Sequence, residues 1–135
     1  MKKKRILELL ELKETVSQKD ASDLVKKLDG EIKKCDQIFS SLDQLQREKA
    51  QFLGRMNAYI YQTERYLIEK IVEQKEITRN RIEFLNGEVN FAISSLREIQ
   101  SKINKIEKMK EQENKNMIRT ALDKLDREIL ENRKR

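Results

Sequence analysis

One thiol, Cys35, is the only thiolate nucleophile or thiolate metal ligand in a chain of 135 residues that contains no histidine. A thiolate metal cluster or a Cys–His catalytic pair therefore cannot be assembled, and a disulfide within the chain is excluded. Cys35 also falls between Ile32 and Phe39 in a row of apolar residues, where a thiol serves as a small buried hydrophobe. The three glycines, Gly30, Gly54 and Gly87, each stand alone, so no glycine-rich loop is available to cradle a phosphate. That leaves 24 Asp and Glu side chains as plentiful candidates for acid–base work. They are spread over amphipathic segments, where a carboxylate is solvated, and an architecture of two helices has no dry pocket to perturb it. We therefore expect no catalytic, cofactor-binding or metal-ligating residues, and a protein that is not an enzyme.

Basic residues suggest other partners. The net charge is +6, from 30 Lys and Arg against the 24 acidic residues. The two signs are interspersed, whereas a nucleic-acid binder concentrates its positive charge on one face and interleaves aromatics with it. The sharpest clusters, Lys2 to Arg5 and Arg133 to Arg135, read as solvated ends. No nucleic-acid partner is expected. The opening "MKKKRILELLELKE" has a basic start, but Glu8, Glu11 and Glu14 interrupt any apolar region of a signal peptide. No run approaches the ~18 apolar residues of a membrane span. A soluble, cytoplasmic protein is the expectation.

What holds these residues in place is helix. The chain is 40% charged, only 5% aromatic and free of proline, the composition of long helices and coiled coils, and its length suits one domain. From Ile82, the residues Leu85, Val89, Ala92, Leu96, Ile99, Ile103 and Ile106 alternate in steps of three and four, as a coiled-coil seam requires. Ala21, Val25, Leu28, Ile32, Cys35, Phe39 and Leu42 keep the same alternation. Gly30 and Gly87 lie inside these stretches at a cost of about 1 kcal/mol each and are read as tolerated. Gly54 is different: Gln46 and Lys49 occupy positions that should be apolar just before it, and Asn57 follows as an N-cap candidate.

The fold class expected is therefore all-α, an antiparallel two-helix coiled-coil hairpin with unequal arms. Helix one covers about 4–53, the turn about 54–57 and helix two about 58–132. A pivot near residue 55 sets residue 28 beside about 82 and residue 1 beside about 110. There the polar stretch "KEQENKN", 110–116, ends the heptads, which favours a hairpin over a single helix spanning ~200 Å. Helix two then overhangs by about 25 residues, ~37 Å. On that overhang Met117, Ile118, Ala121, Leu122, Leu125, Ile129 and Leu130 form a new apolar stripe with no partner in the chain. Such a stripe marks an interaction surface, either for another protein or for a second copy. A second candidate surface lies after the turn, where Tyr59, Ile60, Tyr61, Tyr66, Leu67, Ile68, Ile71 and Val72 exceed what one seam can bury.

Several stretches resemble the FliJ/YscO family of type III export proteins over nearly the whole length. "ILELLELKE" and "ASDLVKKLDGEI" are similar to the family's opening helix, and "YIYQTERYLIEKIVEQ" to the start of its second. "INKIEKMKEQENK" resembles its lysine-rich segment, and "LDREI" its closing Leu-Asp. The resemblance implies a stalk-like coiled coil that binds the hexameric export ATPase (FliI in flagella) and promotes its assembly. It further implies contact with the cytoplasmic part of the export gate (FlhA), dealings with substrate chaperones, and a peripheral position at the cytoplasmic membrane. Transferred to this chain, the ATPase-facing residues are Ile6, Leu9, Met117, Ile118, Ala121, Leu122, Leu125 and Ile129. The gate-facing residues are Leu67 and Ile71, and the apolar row departs from the family's at Gln74 and Thr78.

A different class of function, a prefoldin-like or substrate-specific chaperone cradling unfolded chains between helix tips, is the alternative. The β-hairpins that prefoldin subunits carry between their helices have no counterpart in an alternating pattern around residues 50–65.

Overall fold

The structure, a computed structural model, describes residues 2–52 and 57–134. It contains two α-helices, α1 (Lys2–Phe52) and α2 (Ala58–Lys134), packed side by side in opposite directions as an all-α helical hairpin. Three of the four residues expected to make the turn, 54–56, lie outside the described residues; the fourth, Asn57, caps α2. Its Oδ1 accepts a hydrogen bond from the Ile60 amide at 2.9 Å, and its carbonyl accepts one from the Tyr61 amide at 2.8 Å. The first satisfies one of the amides left without partners in a first helical turn, and the second is the first bond of the helical ladder.

The chain divides into two compact units. One comprises Met1–Ala21 with Ser95–Arg135, the other Ser22–Ser94. Within the second unit, Val25, Leu28, Ile32, Cys35, Phe39 and Leu42 of α1 turn inward against Ile68, Ile71, Ile82, Leu85, Val89 and Ala92 of α2. Among the described residues Leu85 is the one fully buried large side chain, at 1% exposed, and burial on that scale contributes about 1.5–3 kcal/mol. Gly30 and Gly87 sit in unbroken helix with no positive φ, as expected.

Within the first unit, Leu7 of α1 is buried, as are Ile103 and Ile106 of α2. The seam of α1 therefore does not begin at Ala21. Stepping back from Ala21 by threes and fours gives Gln18, Glu14, Glu11, Leu7 and Lys4, all half-buried except Leu7, which is buried. Four of those five are polar, which hides the seam from an apolar pattern.

The pairing register differs from the expected one. Cross-helix contacts run Lys49–Glu64 at 2.8 Å, Asp43–Lys75 at 2.8 Å and Glu31–Arg81 at 3.6 Å in one unit. In the other they run Gln18–Gln100 at 2.6 Å, Glu11–Lys110 at 3.2 Å and Lys3–Glu113 at 3.7 Å. A pivot at residue 55 sets Gln18 beside 92 and Glu11 beside 99, about two to three turns short of where they pair. The reason is visible at the start of α2, where every residue from 57 to 63 is exposed and pairing begins only at Glu64.

The polar stretch 110–116 consequently does not end the seam. Lys110 and Glu113 occupy its next two positions and are held by Glu11 and Lys3. From 114 to 133 every residue is exposed, so the unpaired part of α2 is about 20 residues, or ~30 Å, and not about 25.

Candidate functional site

Among the described residues, two exposed apolar surfaces lie beside the residues expected to meet partners. The first lies on the unpaired part of α2. Ile118, Leu122, Leu125 and Ile129 are each more than half exposed, and their 4-3-4 spacing puts them on one face. That face is not a continuation of the seam. Extending the seam past Glu113 gives Met117, Thr120, Lys124, Arg127 and Glu131, a row that is polar after Met117. The apolar face is turned from it by one to two residues, or ~150° on average. A longer α1 in the same packing would leave it bare. Ala121 flanks this face and is also exposed. A shallow groove of about 460 Å³ runs beside Ile118 and Leu122, edged by Arg119 and Asp126.

Ile6 and Leu9 of α1, expected to share a surface with this stripe, are exposed. They stand within two turns of Lys3, whose ammonium is 3.7 Å from Glu113, and so gather at the same end of this unit as Met117. Leu12, at the edge of that expected stretch, is exposed too, as is Val16 beyond it, which was not anticipated there. Leu9, Leu12 and Val16 repeat at three and four residues, a spacing legible in the sequence, on the side of α1 away from Glu11 and Glu14.

The second surface is in the other unit. Leu67 is 38% exposed and Ile71 only 7%, so the two expected gate-facing residues part company: Ile71 lies in the seam. Leu67 lines a groove of about 200 Å³ with Leu42, Leu45 and the flank of Ile71, rimmed by Lys49 and Lys70. Ile68 also turns inward, half-buried, while Tyr59, Ile60, Tyr61, Tyr66 and Val72 remain exposed. Leu45, one turn from Leu42, was not expected on this surface.

Charge in the seam is managed by pairing. The Lys75 ammonium lies 2.8 Å from Asp43 Oδ1 and 2.9 Å from Gln46 Oε1, and stands 5.1 Å from the centre of the Phe39 ring. The hydrogen bond from Lys75, helped by the charge of Arg47, holds the Asp43 carboxyl below its ordinary pKa of 3.8. Among the described residues no group of three or more His, Cys, Asp or Glu could hold a metal ion, and no helix is long and apolar enough to cross a membrane.

Comparison with protein families, with curated proteins and with solved structures finds no match to this chain.

Proposed function

We propose that this chain is a non-catalytic coiled-coil component of a type III protein export apparatus, a stalk that engages a hexameric export ATPase. The observation that carries the reading is the apolar face Ile118, Leu122, Leu125 and Ile129, exposed on a helix whose seam is already filled. Contiguous apolar surface of this kind on a soluble helix fits a partner's groove. Ile6, Leu9, Met117 and Ala121, at the same end of the unit, extend it. The resemblance of "YIYQTERYLIEKIVEQ" and "INKIEKMKEQENK" to the FliJ/YscO family supplies the partner's identity.

In this reading the gate contact falls on the groove between Leu45 and Leu67, with Ile71 beneath it as support. Chaperone escort and a peripheral place at the cytoplasmic membrane follow from the same resemblance. The test is hydrolysis by the hexameric ATPase with and without the chain. Stimulation by the wild type, lost on Leu122→Asp with Leu125→Asp at unchanged helicity, supports the proposal. Equal stimulation by that variant rejects this surface.

A second reading, a chaperone that holds unfolded segments, is favoured by the exposed Tyr59, Ile60, Tyr61 and Tyr66. It predicts that the chain suppresses aggregation of an unrelated denatured protein, and that Tyr59→Ser with Tyr66→Ser removes the effect.

A further inference from the structure

The charges flanking the apolar face of α2 carry a second message, independent of the export reading. With Leu122 and Ile129 as heptad positions a, and Ile118 and Leu125 as d, the flanking e positions are Arg119 and Asp126. The order of the face is symmetrical, Ile-Leu-Leu-Ile, whereas the e charges are opposite in sign. Reversing the helix therefore places Ile118 on Ile129, Leu122 on Leu125 and Arg119 on Asp126. From these matches we infer that two copies of this chain pair antiparallel through the face 118–129, about a two-fold axis between Leu122 and Leu125.

Antiparallel coiled coils set a against d and e against e. Each two-fold dimer would hold two Arg119–Asp126 ion pairs, one on either side of the axis, in an isologous contact. The next layer out sets Lys115, at a, against Asn132 at d, a neutral partner for a charge. A parallel pair would instead stack Lys115 on Lys115 and leave Arg119 facing Asn114 and Asp126 facing Ala121. The charge pattern thus selects the orientation.

Space allows it. The face lies beyond Glu113, the last residue of α2 that α1 covers, and it points ~150° away from the line of the seam, so a second helix can lie there without displacing α1. Four apolar layers bury less than the ~1,200 Å² of a standard stable interface. The pairing is accordingly weak and concentration-dependent, and a partner that binds the same face competes with it.

The measurement is sedimentation equilibrium of the full chain from low micromolar to millimolar concentration. The wild type is expected to move from its monomer mass of 16.2 kDa toward twice that value. Arg119→Asp alone, or Asp126→Arg alone, sets like charges opposite each other and weakens the dimer about tenfold or more. An equimolar mixture of the two variants restores both ion pairs and should regain the wild-type affinity, which a parallel dimer or a diffuse contact would not reproduce. Leu122→Asp with Leu125→Asp abolishes association. A monomer at all concentrations overturns the inference. So does association that survives the double Leu substitution, or variants whose mixture pairs no better than either alone. Since the ATPase is absent from this experiment, failure here leaves the export reading untouched, and the reverse also holds.

Discussion

Lys75 of α2 and Asp43 of α1 meet across the helix interface with Nζ and Oδ1 2.8 Å apart. Lys75 occupies a seam position one turn beyond Ile71, where a coiled coil ordinarily places an apolar side chain. Gln46 stands opposite on another such position and accepts a second hydrogen bond. Polar residues at seam positions lower stability but fix register, because any slip leaves them unpaired. The same device recurs at Lys49–Glu64 and at Glu11–Lys110.

Replacing this layer tests its role. Gln46→Leu together with Lys75→Leu should raise stability by about 1–2 kcal/mol in thermal or urea unfolding. The same variant should lose the single register, seen as mixed oligomers in sedimentation. A double variant that is markedly less stable would mean the polar layer contributes net stability.

Acid should weaken the Asp43 contact in a defined window. Its pKa is lowered in the folded chain, so the unfolded chain binds the proton first as pH falls. The stabilisation is therefore complete above the ordinary value of 3.8 and disappears as pH drops through the lower, folded value. Asp43→Asn should flatten the decline of stability below about pH 4 in urea titrations. An unchanged slope would show that other carboxylates govern acid unfolding.

The seam itself has one point of greatest sensitivity. Leu85→Ala should cost about 2–5 kcal/mol, because the surrounding helices cannot close over the lost volume. Phe91→Ala, on a side chain 74% exposed, should change stability by less than about 0.5 kcal/mol. Thermal melts followed by circular dichroism distinguish them.

Glycine supplies a prediction of opposite sign. A methyl group added at Gly30 or Gly87 meets no atom within 4 Å, and both backbones are helical. Gly30→Ala and Gly87→Ala should each stabilise by about 1 kcal/mol and raise the melting temperature by about 3–5 °C. A fall at either position would reveal a constraint on close approach.

Amide exchange should map the unequal arms. Protection is expected to be greatest around Leu85 to Ile106, where both helices bury apolar residues, and to fall sharply after Glu113, where α2 has only its own hydrogen bonds. Uniform protection to residue 130 in dilute solution would mean the overhang is covered.

Much of this was legible in the residues. The apolar steps from Ile82 to Ile106 and from Ala21 to Leu42 specified the two helices and these parts of their inward faces, and Asn57 marked the start of α2; the antiparallel pairing came from reading a turn near Gly54, not from the steps themselves. Register was not legible, because it depends on Lys49, Glu64, Lys75, Glu11 and Lys110, whose seam positions look like solvated surface when only hydrophobicity is counted. Ile71 was misplaced for a related reason. In an apolar cluster such as Tyr66, Leu67, Ile68, Ile71 and Val72, the phase set by Leu85 and Ile82 must be carried back through Thr78 and Lys75 to decide which members turn inward.

The most direct measurement is titration of the assembled hexameric export ATPase with this chain and with its Leu122→Asp, Leu125→Asp variant, at a concentration where both are monomeric. Two lost apolar anchors should weaken binding about 100-fold or more, with the helical spectrum preserved. Equal affinity for the two chains, or no affinity for either, would contradict the account.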